Sequence, residues 1–407
     1  MKKFVSLFVL ILLSASAWCQ SHPNYTVIVS LDGFRWDYPT LYSTPHLDQI
    51  AARGSSATML PSYPASTFPN HYTLATGLVP DHHGIVNNTF WDTQNNRQYS
   101  MNNPETRFNP AYYLGEPIWV TAQKQGVKTA NMYWVAADIP IKNTFPTYQK
   151  LFRQKPQLTF EERIDTVISW LRMPEEARPQ LVMLYFEEPD GTGHHFGPRS
   201  LETKRKVEYL DSLVGVLMHK ISRLPIADRI NLIVTSDHGM TEISDERVVN
   251  MHPYLKPEWC RVIDGKTPTS VFTKPEFRDS VYNSLKNVPH IHVWKKEEIP
   301  AELHYGSSDR IGDIVIAPAT GWQFAEKGAG LKGAHGYFPQ EPDMQVIFRA
   351  YGPDFKEGYR SKGFVNVDIY PLLCYLLHVK PAKNDGQPAR IADLINQTSR
   401  DANPIIP

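Results

Sequence analysis

Four short stretches of this 407-residue chain carry the residue types that hold metal ions. Asp32 follows the apolar run VIVSL, and Asp190 precedes His194 by four positions in EEPDGTGHH. Asp237 and His238 are adjacent in VTSDHGM, and His335 sits in the glycine-flanked loop KGAHGY. Three carboxylates and three imidazoles in one place would repel and desolvate one another unless cations neutralised them. Two Zn²⁺ ions would do so, each taking about three protein ligands and leaving a position for substrate. A single aspartate after a strand is commonly only a turn former, and a lone histidine in a glycine-rich loop only a surface residue. It is the joint pattern, with three of the four stretches near strand ends, that points to a metal centre.

Metals need a group to activate, and PASTFPNH, residues 64–71, reads as a tight entry into a helix. A hydroxyl there faces the positive end of the helix dipole and free backbone N–H groups, which suits attack on phosphate. Ser66 and Thr67 are both candidates, and either could instead serve simply as an N-cap. Asn88 is a neutral donor able to hold a phosphoryl oxygen, or a turn asparagine.

These residues must be positioned by a sheet. Residues 25–31, 181–186 and 231–235 read as buried strands, and 117–125, 160–173, 200–224 and 365–377 as helices. Val207, Leu210, Val214, Leu217 and Ile221 fall at helical spacing, so that face should pack on the sheet. Strands alternating with helices predict an α/β fold with a mostly parallel central sheet flanked by helices. In such a sheet ligands bind outside the carboxyl ends of the strands, where the aspartates fall. From 253 to 330 the rhythm fades, which predicts a smaller inserted cap region. The core would then be 20–252 with 331–390, followed by a polar tail at 391–407.

The composition sets limits. Lys plus Arg and Asp plus Glu are 42 each, so a general field for gripping nucleic acid or an anionic membrane is absent, and an anionic ligand needs a local site. Hydrophobic residues make up 42% of the chain, which excludes intrinsic disorder. Lys2 and Lys3, the apolar run 4–13 and small residues up to Ala17 read as a signal peptide over 1–19, too short to span a bilayer. A lipid anchor on Cys19 is the alternative, which bulky Trp18 argues against. The mature protein is therefore expected to be exported, secreted or periplasmic, with no membrane span. Cys260 and Cys374 could pair in an oxidising compartment. Asn24, Asn87 and Asn396 begin glycosylation sequons.

The stretches VIVSLDGFRWDY, PASTFPNHYTLATGLVPDHHGIVNN, YFEEPDGTGHHFGP, LIVTSDHGMTE and GAHGYFPQEPDMQVIF resemble the nucleotide pyrophosphatase/phosphodiesterase family of the alkaline phosphatase superfamily. The likeness spans Tyr25 to about Gly386 and is limited to the catalytic domain. That lean form, with the amino-terminal segment, resembles a bacterial periplasmic member. The resemblance implies an alkaline-phosphatase-like core with Thr67 as nucleophile. It implies that Asp32, Thr67, Asp237 and His238 surround one Zn²⁺ and Asp190, His194 and His335 the other. Asn88 and the backbone N–H of Phe68 would bind the phosphoryl oxygen. In-line attack by Thr67 would give a phosphothreonine diester, and its hydrolysis a nucleoside monophosphate. Phe68 matches the aromatic that stacks on the base, Trp134 a pocket aromatic, and Phe152 stands where relatives carry a second stacking tyrosine, with Tyr148 nearby. Phe152 and Trp134 could equally be core rings.

Other functions compete with this one. A phosphomonoesterase would need a cation facing Thr67, for which Arg107 is a candidate. A lipid head-group phosphodiesterase would carry a choline cage in place of a base slot. A non-catalytic metal-binding protein would have lost a ligand or the hydroxyl, and none is lost.

Overall fold

The strand β1, Tyr25–Leu31, has all seven side chains buried, as expected of a strand covered on both faces. The chain is seen in a computed structural model that describes residues 24–328 and 330–396. The expected signal peptide at 1–19 lies outside the described residues.

Strands β2 (Ser55–Leu60), β3 (Thr129–Met132), β4 (Tyr148–Lys150), β5 (Leu181–Phe186) and β6 (Ile230–Thr235) follow β1 in the main sheet. An antiparallel sheet of its own holds β7 (Cys260–Asp264), β8 (Thr269–Thr273), β9 (Ile291–Lys295) and β10 (Ile314–Pro318). The chain then rejoins the main sheet with β11 (Val346–Tyr351), β12 (Tyr359–Arg360) and β13 (Phe364–Val365). The main sheet runs β12-β2-β11-β6-β1-β5-β3-β4, with β13 also on β2. Every pairing in it is parallel except those of β11, which runs against β2 and β6. The fold is thus a mostly parallel α/β sheet, as the alternation of strands and helices predicts.

Helices of seven residues or more are α1 (Pro45–Arg53), α2 (Thr67–Thr76), α3 (Ile118–Lys124), α4 (Phe160–Leu171), α5 (Asp190–Phe196), α6 (Leu201–Ser222), α7 (Arg278–Leu285) and α8 (Ile369–Leu376). The predicted apolar stripe of α6 is buried at all five positions. The small sheet has its own apolar core, where Val281 and Leu285 of α7 meet Val271, Ile314 and Ile316.

Four expectations need correction or completion. The late helix begins at Ile369, because Asn366–Asp368 form a 3₁₀ turn first. The polar tail does not begin at 391. Ile391, Leu394 and Ile395 are buried, and the Ser55 hydroxyl donates to the Leu394 carbonyl at 2.7 Å. Cys260 and Cys374 are both free thiols, Cys374 buried in α8. The amides of the sequon residues are already engaged, Asn24 with Asp354, Asn87 with the Pro268 carbonyl and Asn396 with the Phe355 carbonyl.

Candidate active site

The parallel trio β6-β1-β5 brings three aspartates to one end of the sheet. Asp32 is the first residue beyond β1, Asp237 lies two beyond β6, and Asp190 opens α5 shortly after β5. Gly33 makes this convergence possible. Its φ is +70°, and a Cβ there would lie 3.1 Å from Cα and Cβ of Asp190. Its N–H also donates to Asp237 Oδ1 at 3.2 Å.

The imidazoles face the same space. His238 Nε2 lies 3.2 Å from Asp237 Oδ2 and 3.3 Å from Asp32 Oδ1. His194 Nε2 is 3.3 Å and His335 Nε2 3.7 Å from Asp190 Oδ1. In each ring Nδ1 faces a backbone carbonyl: Gly239 for His238, Gly333 for His194 and Ala65 for His335. Those contacts fix the tautomer, with Nδ1–H donating and the Nε2 lone pair free, as metal-ligating histidines require. Ligand atoms of Asp190, His194 and His335 lie within 4.8 Å of one another, as do those of Asp32, Asp190 and His238. Asp190 therefore reaches both groups.

The electrostatics fit cations. Asp32 Oδ1, Asp190 Oδ1 and Asp237 Oδ2 are buried oxygens with no hydrogen-bond partner, which is costly unless charge is compensated. Burial pushes the Asp32 carboxyl well above its ordinary range, and the charges of Asp237 and Asp190 push the same way, against a 2.5 Å hydrogen bond from Tyr185. Burial acts on Asp190 too, but His194, His335 and His238 outweigh it and bring it down to about 2. Asp237 is likewise held below the ordinary range, its burial outweighed by His238 and His71. Burial, helped by His238, lowers His335 to about 3, so it is a neutral donor. The like charges compete, and burial and their mutual repulsion raise Asp32, the mark of a donor set that cations would complete.

Thr67 is the first residue of α2, whose N-cap is Ser66. Its hydroxyl is 3.0 Å from His238 Nε2, so the helix N-terminus delivers it to the aspartate and histidine cluster. Asn88 Oδ1 accepts the N–H of Phe68 at 3.0 Å, which brings together the two groups expected to hold a phosphoryl oxygen.

Residues 26–338 match the family model described as type I phosphodiesterase / nucleotide pyrophosphatase. The chain belongs to this family. It is 38% identical over 373 residues to the bovine bis(5'-adenosyl)-triphosphatase ENPP4, covering 89% of this chain and 80% of that one. Human ectonucleotide pyrophosphatase/phosphodiesterase family member 1 is 36% identical over 89% of this chain but only 40% of its own length. Among solved structures, the inactive murine ectonucleotide pyrophosphatase/phosphodiesterase 5 in complex with AMP superposes with a TM-score of 0.86. That comparison has 34% identity and covers 91% of this chain and all of that one.

Around the threonine of this phosphodiesterase the aromatic residues differ in position. Phe68 is 9% exposed, with the Arg107 guanidinium 5.5 Å above its ring. Phe152 is half-buried beside Tyr133 and Tyr185. Trp134 is 2% exposed and its Nε1–H donates to the His71 carbonyl, so it backs α2. Tyr148 is spent on β4, its hydroxyl donating to the Ala177 carbonyl. Arg107 pairs with Asp138 at 2.8 Å, so its charge is already compensated. Sequence reasoning missed the buried Tyr185 and His71 and the part-buried Asp138, all partners of candidate residues. Only their nearness in sequence to motif residues hints at them.

Proposed function

We propose that this protein is a zinc-dependent hydrolase of nucleotide phosphodiester and pyrophosphate bonds that works through a phosphothreonine on Thr67. Asp32, Thr67, Asp237 and His238 would hold one Zn²⁺, and Asp190, His194 and His335 a second. Bound there, the ions supply positive charge that lowers the hydroxyl pKa and neutralises charge developing on phosphate.

The protein's own groups do the rest. Thr67 Oγ forms a bond to phosphorus as the bond to the leaving oxygen breaks in line. Water then displaces Thr67, breaking its bond to phosphorus and releasing a nucleoside monophosphate. The Asn88 amide, and the Phe68 N–H once it exchanges Asn88 Oδ1 for phosphate, orient a non-bridging oxygen, and the ring of Phe68 offers a face to a base. The observation that carries this reading is the Thr67 hydroxyl at a helix N-terminus, 3.0 Å from His238 Nε2 and beside partnerless carboxylate oxygens. Two names support the substrate class, the bis(5'-adenosyl)-triphosphatase relative and the AMP complex of the structural neighbour. Arg107 bears against a phosphomonoesterase, because its charge is committed to Asp138. Export after cleavage near residue 19, the cap role of 253–330 and a bacterial periplasmic setting belong to the same proposal.

The test is turnover of a nitrophenyl ester of thymidine monophosphate beside plain nitrophenyl phosphate, with metal counted in the same sample. A diester rate well above the monoester rate is expected, with zinc bound. Thr67→Ala should keep the metal and the fold and abolish turnover. A reversed preference, or near wild-type turnover by Thr67→Ala, would overturn the reading.

A further inference from the structure

His71 lies one turn after Thr67 in α2 and is fully buried. Its Nδ1 is 3.0 Å from the Thr67 carbonyl oxygen and 3.2 Å from Asp237 Oδ2. Both are acceptors, so Nδ1 carries the proton. Nε2, 2.9 Å from the Ser30 oxygen, then accepts from that hydroxyl. The ring is clamped edge-on by Tyr185 at 4.9 Å and Trp134 at 5.3 Å.

The partner on the Asp237 side gives this histidine its interest. Asp237 Oδ1 is held by the Gly33 N–H and the Ser236 hydroxyl, both at 3.2 Å. Oδ2, the atom turned toward His238, has no hydrogen-bond partner, and His71 Nδ1 and His238 Nε2 each stand 3.2 Å from it. A histidine that only filled the core would spend its proton on a structural carbonyl alone. This one donates to the backbone of the nucleophile and stands 3.2 Å from a partnerless oxygen of a carboxylate proposed to ligate zinc.

We propose that His71 is a positioning residue. Through Nδ1–H it fixes the Asp237 carboxylate relative to Thr67, and through Nε2 it ties α2 to β1, the strand that delivers Asp32. The inference rests on the proposed function for the identity of the nucleophile, but its zinc readout is independent of turnover.

Asparagine and glutamine separate the two ring nitrogens. The amide nitrogen of His71→Asn falls near the position of Nδ1, that of His71→Gln near Nε2. Zinc affinity would be measured by competition with a chromophoric chelator, beside kcat and KM on the nitrophenyl thymidine ester and the melting temperature. His71→Gln is expected to lose about 10–100-fold in zinc affinity, with kcat falling alongside and little change in KM, the usual cost of removing support from a metal ligand. His71→Asn should recover most of that loss. Ser30→Ala, a smaller change, should weaken zinc in the same direction by less, and it keeps the test alive should the His71 variants fail to fold. Equal zinc affinity and kcat in the asparagine and glutamine variants, or losses that track only melting temperature, would overturn the proposal. If the wild type cleaves the diester while His71→Gln and Ser30→Ala bind zinc normally, positioning fails and the proposed function stands. If the wild type cleaves neither ester yet His71→Gln binds zinc more weakly than His71→Asn, the reverse holds.

Discussion

Asn88 does two jobs with one side chain. Its Oδ1 accepts the Phe68 N–H at 3.0 Å, and its amide nitrogen is the donor proposed to hold a phosphoryl oxygen. Asn88→Ala removes that donor and frees the backbone amide, so kcat should fall roughly 10²–10³-fold, the usual cost of losing one preorganised donor. Steady-state kinetics on the diester would show it, and a change confined to KM would contradict the assignment. Asn88 was visible in sequence as one of two asparagines beside a turn, without a reason to choose the site reading. Asp32, Asp190 and Asp237 were legible as candidates because they fall just beyond strands, which periodicity reveals, whereas His335 was marked only by its glycine-flanked loop. Asp138, Tyr185 and His71 were not legible, because no spacing encodes their partners, and Arg107 could be named only as a candidate cation. Trp134 shows the limit most clearly, since its motif position says nothing of whether the ring faces a slot or, as here, the back of α2.

The turn before α2 depends on one buried polar side chain at the next scale. Asn70 Oδ1 accepts from the Ser62 N–H and the Asn366 amide, and its Nδ2 donates to the carbonyls of Pro64 and Ser66. All four hydrogen-bonding positions of the amide are filled, so the segment presenting Thr67 has little freedom. Asn70→Ala leaves several buried groups unpaired at roughly 1–3 kcal/mol each. A clear drop in melting temperature is expected, together with a lower kcat because Thr67 loses its fixed approach. A stable variant with normal kcat would show that helix packing alone sets the turn. The strands beside the site were the most legible elements, and residues 25–31 and 181–186 match the observed bounds because both are uniformly apolar. β2 was not readable. Its sequence SSATML is small and half polar, and it is a strand because β11 pairs with it from nearly 300 residues away in the chain.

At the scale of the whole molecule, stability should follow both pH and metal. His83 is fully buried between Thr73 and the Pro69 carbonyl, and burial lowers it to about 3. Its folded pKa lies below the unfolded value of about 6.5, so the unfolded chain takes up a proton that the native one refuses. That contribution is present above about 6.5 and is lost as pH falls toward 3. A His83→Gln variant should therefore lose stability less steeply than the wild type across that window, by up to one proton in the slope, as measured by denaturant unfolding. The proposed metal would act in the opposite sense, by joining distant segments. Asp32 leaves β1, Asp190 opens α5, Asp237 follows β6, and His335 comes from the segment after the small sheet, so the proposed ligands span about 300 residues of chain. An ion that binds only this assembled set stabilises it by about 2.7 kcal/mol at a hundredfold excess over Kd. Chelation should lower the melting temperature by several degrees with far-UV dichroism unchanged, and zinc should restore it. Asp190→Asn, which weakens the residue within reach of both ligand groups, should shrink that shift, whereas Thr67→Ala should leave most of it. A melting temperature indifferent to verified removal of zinc would mean that hydrogen bonds such as Gly33 to Asp237 already hold the strand ends, and that the ions contribute to chemistry alone.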